Sequence, residues 1–134
     1  MTKEDWARAE ETLKRQYRIV MLDCDGYRVS LTLEQSSQFK LSITVYVNGC
    51  IKGEWFVRGN QSEEARRFFP TKYIIAFTAK EKKSWSKIFS KKELKERNIN
   101  LNARSEYKGS SWSSFTALKR HFIKHNKEIK LIEA

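Results

Sequence analysis

The chain has 134 residues, of which 40% are hydrophobic and 13% aromatic, enough to bury a core and too apolar for a disordered tail. Its formal charge of +11 is lopsided: Met1–Pro70 carries 11 Lys/Arg against 10 Asp/Glu, whereas Thr71–Ala134 carries 16 against 6. The longest purely aliphatic run, Ile19–Leu22, is far too short to span a bilayer, and Cys24 and Cys50 form no C-x-x-C, so reduced core thiols in a cytoplasmic protein are expected.

Thr2 and Asp5 have the spacing of a capping box, and Trp6, Ala9, Leu13 and Tyr17 recur at helical period. A helix over residues 1–17 with one buried face is predicted. No apolar h-region accompanies it, so no secretory signal is expected. The period then drops to two. Ile19–Leu22 reads as a buried strand and Asp25–Gly26 as a two-residue hairpin turn. Tyr27, Val29, Leu31 and Leu33 alternate with Arg28, Ser30, Thr32 and Glu34. After a polar turn at Gln35–Gln38 the alternation resumes as Phe39, Leu41, Ile43, Val45 and Val47. Asn48–Gly49 is a second hairpin signal, with Cys50–Val57 as a fourth strand. Residues 18–58 are therefore expected to form a four-stranded antiparallel meander with one face buried.

Residues 62–134 read as a basic, mostly helical half. Ser62 suits the cap of a short helix through Phe69, ended by Pro70, while Tyr73–Phe77 fits strand or helix equally. Next, Trp85, Ile88 and Phe89 share one helical face, and Lys80, Lys83, Lys87 and Lys91 line another. Ser90 with Glu93 opens a second short helix to about Arg97, and Arg104–Lys108 suits a strand. The turn Gly109–Ser114 leads into a helix over Phe115–His125, with Phe115, Leu118 and Phe122 inward and Asn126 as C-cap. Lys127–Glu133 alternates again and suits a last strand. No repeat, linker or low-complexity tract divides the chain. The expectation is a single α+β domain over 1–134: a four-stranded antiparallel meander flanked by an N-terminal helix and the basic half.

Three constellations suggest chemistry. Ile19–Gly26, a hydrophobic strand entering Asp23-Cys24-Asp25-Gly26, resembles the nucleophile loop of haloacid-dehalogenase-type phosphatases. That resemblance implies Asp23 as nucleophile and Asp25 as acid/base beside Mg²⁺. The family's sheet is parallel with helical crossovers, whereas Arg28–Leu33 continues directly as a strand, which favours a plain hairpin turn. Glu-x-Lys triplets at Glu81, Glu93, Glu106 and Glu128 are the second, with Asp23 or Asp25 as a further carboxylate of a Mg²⁺-dependent nuclease. Finally, His121, His125 and Glu128 have spacing a zinc ion would accept, but the H-E-x-x-H pattern is missing. No catalytic residue, metal ligand or cofactor is assigned.

What remains is the basic stripe. A net charge of +10 over the last 64 residues repels itself and is relieved by a polyanion. The residues assigned to nucleic-acid contact are Lys80, Lys83, Lys87, Lys91, Lys92, Lys95 and Arg97, then Arg120, Lys124 and Lys127 on the last helix. Trp85 and Trp112 are the candidate stacking aromatics, Trp112 having core sealing as its alternative. An outward sheet face carrying Arg28, Lys40, Tyr46, Lys52 and Phe56 would be a further platform. The expected function is non-enzymatic binding of DNA or RNA, with no membrane partner. The alternative is a small interaction or inhibitor module of a phage or mobile element acting on a nucleic-acid enzyme; a nuclease is third.

Overall fold

In the computed structural model, which describes residues 1–57 and 62–134, the capping box at Thr2 is complete. Thr2 Oγ1 accepts from the Asp5 N–H at 3.1 Å, and the Asp5 carboxylate accepts from the Thr2 N–H at 3.2 Å. Helix α1 (Lys3–Leu13) buries Trp6, Ala9 and Leu13. It stops short of the expected 1–17 span. Tyr17 is left-handed (φ 64°) and donates its N–H to the Leu33 carbonyl at 3.1 Å, which turns the chain toward the sheet and leaves the ring exposed.

Strands β1 (Ile19–Cys24), β2 (Tyr27–Ser37) and β3 (Lys40–Val47) form the expected antiparallel meander. Asp25 (φ 51°) and Gly26 (φ 92°) make the first turn, where Asp23 Oδ1 accepts from the Gly26 N–H at 3.0 Å. A register pairing Leu22 with Val29 and Leu31 with Val45 puts Val20, Leu22, Cys24, Val29, Leu31, Ile43, Val45 and Val47 on one buried face. The β2–β3 connection is tighter than expected, so Phe39 sits at its tip, 93% exposed. Cys24 is buried and its thiol is pushed up to about 12, chiefly by desolvation, whereas Cys50 is exposed rather than in the core.

The sheet has five strands, not four, in the order β6–β3–β2–β1–β7, with β6 (Ser111–Trp112) and β7 (Ile129–Glu133) at its edges. Cys50–Val57 is not the fourth strand. After Asn48–Gly49 it makes a single bridge, Val47 to Cys50, and winds into a 3₁₀ turn at Gly53–Phe56. The aromatics explain why: Trp55 and Phe56, adjacent in sequence, both meet Phe69, at centroid distances of 5.6 and 5.0 Å. A strand would have sent them to opposite faces. Where the expected meander ends, at residue 58, lies outside the described residues.

Helices α2 (Glu63–Phe68) and α5 (Phe115–His125) contribute to the same core. Both begin as the sequence suggests, with Ser62 and Ser114 accepting from the third helical N–H. Phe68, fully buried, meets Tyr27 and Phe122 edge-on, each at 5.5 Å. Around Asp25 a polar node ties three segments together. Its carboxylate accepts the N–H groups of Lys127 and Glu128, both at 2.8 Å, and pairs with Arg67 at 2.7 Å. The two backbone donors, aided by Arg67, hold Asp25 below the usual carboxylate range.

These elements make up one unit, Met1–Thr71 with Lys108–Ala134; Lys72–Tyr107 forms a second. In the second, β4 (Thr71–Ile75) and β5 (Arg104–Lys108) pair as a two-stranded ribbon. The hydrogen bonds Gly109 N to Pro70 O and Ala76 N to Ala103 O bracket it and make it antiparallel. Helices α3 (Ala79–Ile88) and α4 (Lys91–Glu96) lie between those strands. With β4, β5, β6 and β7, the C-terminal half is a mixture of strands and helices. Among the described residues no helix is long and apolar enough to cross a membrane.

Candidate nucleic-acid interface

The Lys72–Tyr107 unit holds 10 Lys/Arg against 4 Asp/Glu in its 36 residues. Lys80, Lys83 and Lys87 are exposed along α3, and Lys91, Lys92 and Lys95 are exposed on α4. Two of the four acids accept from the hydroxyls of the N-cap residues. Thr78 Oγ1 accepts from the Glu81 N–H and donates to the Glu81 carboxylate at 3.1 Å, and Ser90 and Glu93 repeat the arrangement at 3.2 Å. Among the described residues no lysine of this unit is in a salt bridge. The excess of base over acid, with no short ion pair to these lysines, leaves the unit strongly positive.

Aromatics brace it from behind. Trp85 is half-buried between Phe77 (5.7 Å) and Phe89 (5.5 Å), and the Arg97 guanidinium lies 4.6 Å from the Phe89 ring centroid. Ile88 does not join Trp85 and Phe89 on a buried face; it is 71% exposed.

On the larger unit, Arg120 and Lys124 are exposed along α5. Lys127 does not extend their stripe, because Asn126 is extended and ends the helix, and the Lys127 N–H is bonded to Asp25. Trp112 is buried in β6 with its Nε1–H donating to Phe68 O at 2.9 Å, so its ring seals the core instead of facing a ligand. The sheet platform shrinks too. Lys52 and Phe56 lie off the sheet, and the Tyr46 hydroxyl donates to Glu34 at 2.9 Å.

The catalytic and metal candidates are occupied otherwise. Asp23 and Asp25 build an antiparallel hairpin and its anchor, not a phosphatase loop. His121 Nε2 is 2.8 Å from the Arg66 carbonyl, which can only accept, so that nitrogen carries the proton. Glu128 pairs with Lys130 at 3.2 Å. Among the described residues no three His, Cys, Asp or Glu side chains are grouped to hold a metal ion.

Burial pushes the His121 imidazole down to about 4, with His125, Lys108 and Lys124 adding to the effect and the Arg66 bond opposing it. The unfolded chain, near 6.5, takes up this proton first. His121 thus contributes stability that is complete above pH 6.5 and is lost as pH falls toward 4. The difference between wild-type and His121→Gln urea midpoints is expected to shrink or reverse over that window, since the amide still donates to Arg66 O but cannot titrate. Parallel midpoint curves would overturn this assignment.

One feature escaped the sequence reading. A cleft of ≈ 410 Å³ lies between α4 and the loop 98–102, lined by Lys91, Lys95, Asn98 and Asn102 over Leu94 and Ile99. Its only trace in the sequence is the alternation Asn98-Ile99-Asn100-Leu101-Asn102. Comparison with protein-family models, with curated proteins and with solved structures yields no match for this chain.

Proposed function

We propose that the chain is a non-enzymatic nucleic-acid-binding protein that acts in the cytoplasm and makes most of its contacts through residues 72–107. The observation that carries this reading is the set of exposed lysines on α3 and α4, none of them in a salt bridge among the described residues, in a unit with 10 Lys/Arg against 4 Asp/Glu. Lysines at these positions would take phosphates, releasing counterions from the nucleic acid. Such contacts orient a strand and carry little sequence information. Trp85 supports the face from within its aromatic cluster, and Arg120 and Lys124 supply a second, smaller cationic surface.

The test is binding of labelled single- and double-stranded DNA and RNA across a salt series, with and without Mg²⁺. Affinity for duplex DNA is expected to fall with a log–log slope of about −0.9 per phosphate contact. Salt-insensitive or negligible binding at physiological salt would overturn the reading. Cleavage that requires Mg²⁺ and is lost in Glu106→Gln would replace it with the nuclease.

A second reading is favoured by a different observation. Tyr73, Ile74 and Ile75 on β4, with Ile88 on α3, leave apolar side chains exposed, between 46% and 71%. Ile74 points to the face of β4 opposite Tyr73 and Ile75, and a protein partner, such as a nucleic-acid enzyme inhibited by a phage or mobile-element module, would cover one of these faces. That reading predicts one saturable protein complex whose affinity responds to Ile74→Asp and hardly to salt.

A further inference from the structure

The cleft beside α4 has the composition of a site for a single unpaired nucleotide. One wall is the α4 face bearing Lys91, Leu94 and Lys95, which the i, i+3, i+4 spacing places side by side. The other is the loop that follows, and it is held firmly. Asn98 is left-handed (φ 57°), its N–H donates to Lys95 O at 3.1 Å, and the Ile99 N–H reaches back to Leu94 O at 2.9 Å. That pair of bonds is a Schellman ending, with Ile99 and Leu94 as its hydrophobic partners. Further along, Asn100 Oδ1 accepts from the Asn102 N–H at 2.9 Å, and Asn100 O from the Ala103 N–H at 3.1 Å.

The loop's backbone is thus bonded while two of its amides are unspent. Among the described residues the side chains of Asn98 and Asn102 make no hydrogen bond, and Lys91 and Lys95 make no salt bridge. A carboxamide offers a donor and an acceptor together, which matches the polar edge of a nucleobase. Ile99 and Leu101, half-buried in the lining, offer apolar contact to its faces, and the two ammonium groups suit the adjoining phosphate. A volume of ≈ 410 Å³ is within the range of small-ligand sites and suits one nucleotide, not a duplex.

We infer that the cleft formed by Lys91, Lys95, Asn98 and Asn102 receives one unpaired base with its flanking phosphate, giving the protein a preference for single strands. This inference rests on the proposed nucleic-acid function and specifies which part of the basic unit reads a base. The interaction is reversible binding and needs no covalent step.

The experiment uses the full chain and fluorescent 15-residue strands: base-bearing, abasic over the same backbone, and duplex. Wild type is expected to bind the base-bearing strand about tenfold more tightly than the abasic one, in the range of one base recognised by a bidentate amide. Asn98→Gly with Asn102→Ala should bring that ratio close to one while leaving duplex affinity and salt slope unchanged. Glycine is chosen at 98 because it keeps the positive φ without strain. Equal wild-type affinity for base-bearing and abasic strands would overturn the cleft assignment without needing a variant, and would leave the basic-face reading standing. A double variant that keeps the preference would do the same. Absence of binding to all strands would remove both.

Discussion

Replacing Lys87 and Lys91 together by glutamate is expected to weaken duplex DNA binding by about tenfold or more near 0.1 M salt, and to flatten the log–log salt slope by about two. Lys87 lies in the last turn of α3 and Lys91 opens α4, with only Ile88, Phe89 and Ser90 between them. Both are exposed and neither is in a salt bridge, so reversal breaks no internal contact of that kind. Its effect on folding should largely cancel. A glutamate ending α3 is unfavourable to the helix dipole, and one opening α4 is favourable, each by a few tenths of a kcal/mol at an exposed site. Equal urea midpoints with a reduced slope would localise the contact to the α3–α4 junction. An unchanged slope would move the site elsewhere.

Much of the larger unit was legible because its signals are local. Asp25–Gly26 and Asn48–Gly49 adopt the left-handed conformations those dipeptides favour, and the serines at 62, 90 and 114 all cap helices. Helix α5 begins and ends where periodicity and Asn126 put it. What stayed hidden depends on contacts distant in sequence. Nothing near Ile129 announces that it pairs with Cys24, and two residues, Ser111 and Trp112, are too few to register as a strand beside Ile43. Cys50–Val57 follows a hairpin dipeptide but leaves the sheet, because its two adjacent aromatics both pack on one ring, Phe69. The basic stripe was legible as composition. Which lysines stay out of salt bridges was not, since that depends on where the folded chain places the carboxylates. Trp112 could be read either way until its indole was seen bonded to Phe68 O.

Excising residues 72–107 is expected to spare the larger unit and to lower duplex affinity by about a hundredfold at 0.1 M salt. The chain leaves and re-enters that unit at neighbouring positions. Gly109 N donates to Pro70 O at 2.9 Å, and Lys108 Nζ to Thr71 Oγ1 at 2.9 Å. Thr71 and Lys108 can therefore be joined by a two-residue Asn-Gly turn across the same antiparallel ladder, and shortening the loop carries no entropic penalty of its own. Every large residue that is fully buried in the structure, from Val20 through Phe68 to Phe122, is outside the excised stretch. A single cooperative unfolding transition near the wild-type midpoint is the expected result. Removal takes away 10 of 27 basic and 4 of 16 acidic residues, so the net charge falls from +11 to +5. That change alone is too diffuse to abolish binding, because charges farther apart than about 10 Å are screened at this ionic strength. A large loss of affinity would therefore report lost phosphate contacts rather than lost net charge. If affinity survives the excision, Arg120 and Lys124 on α5 carry the contacts, and the lysine face of α3 and α4 serves a partner other than nucleic acid.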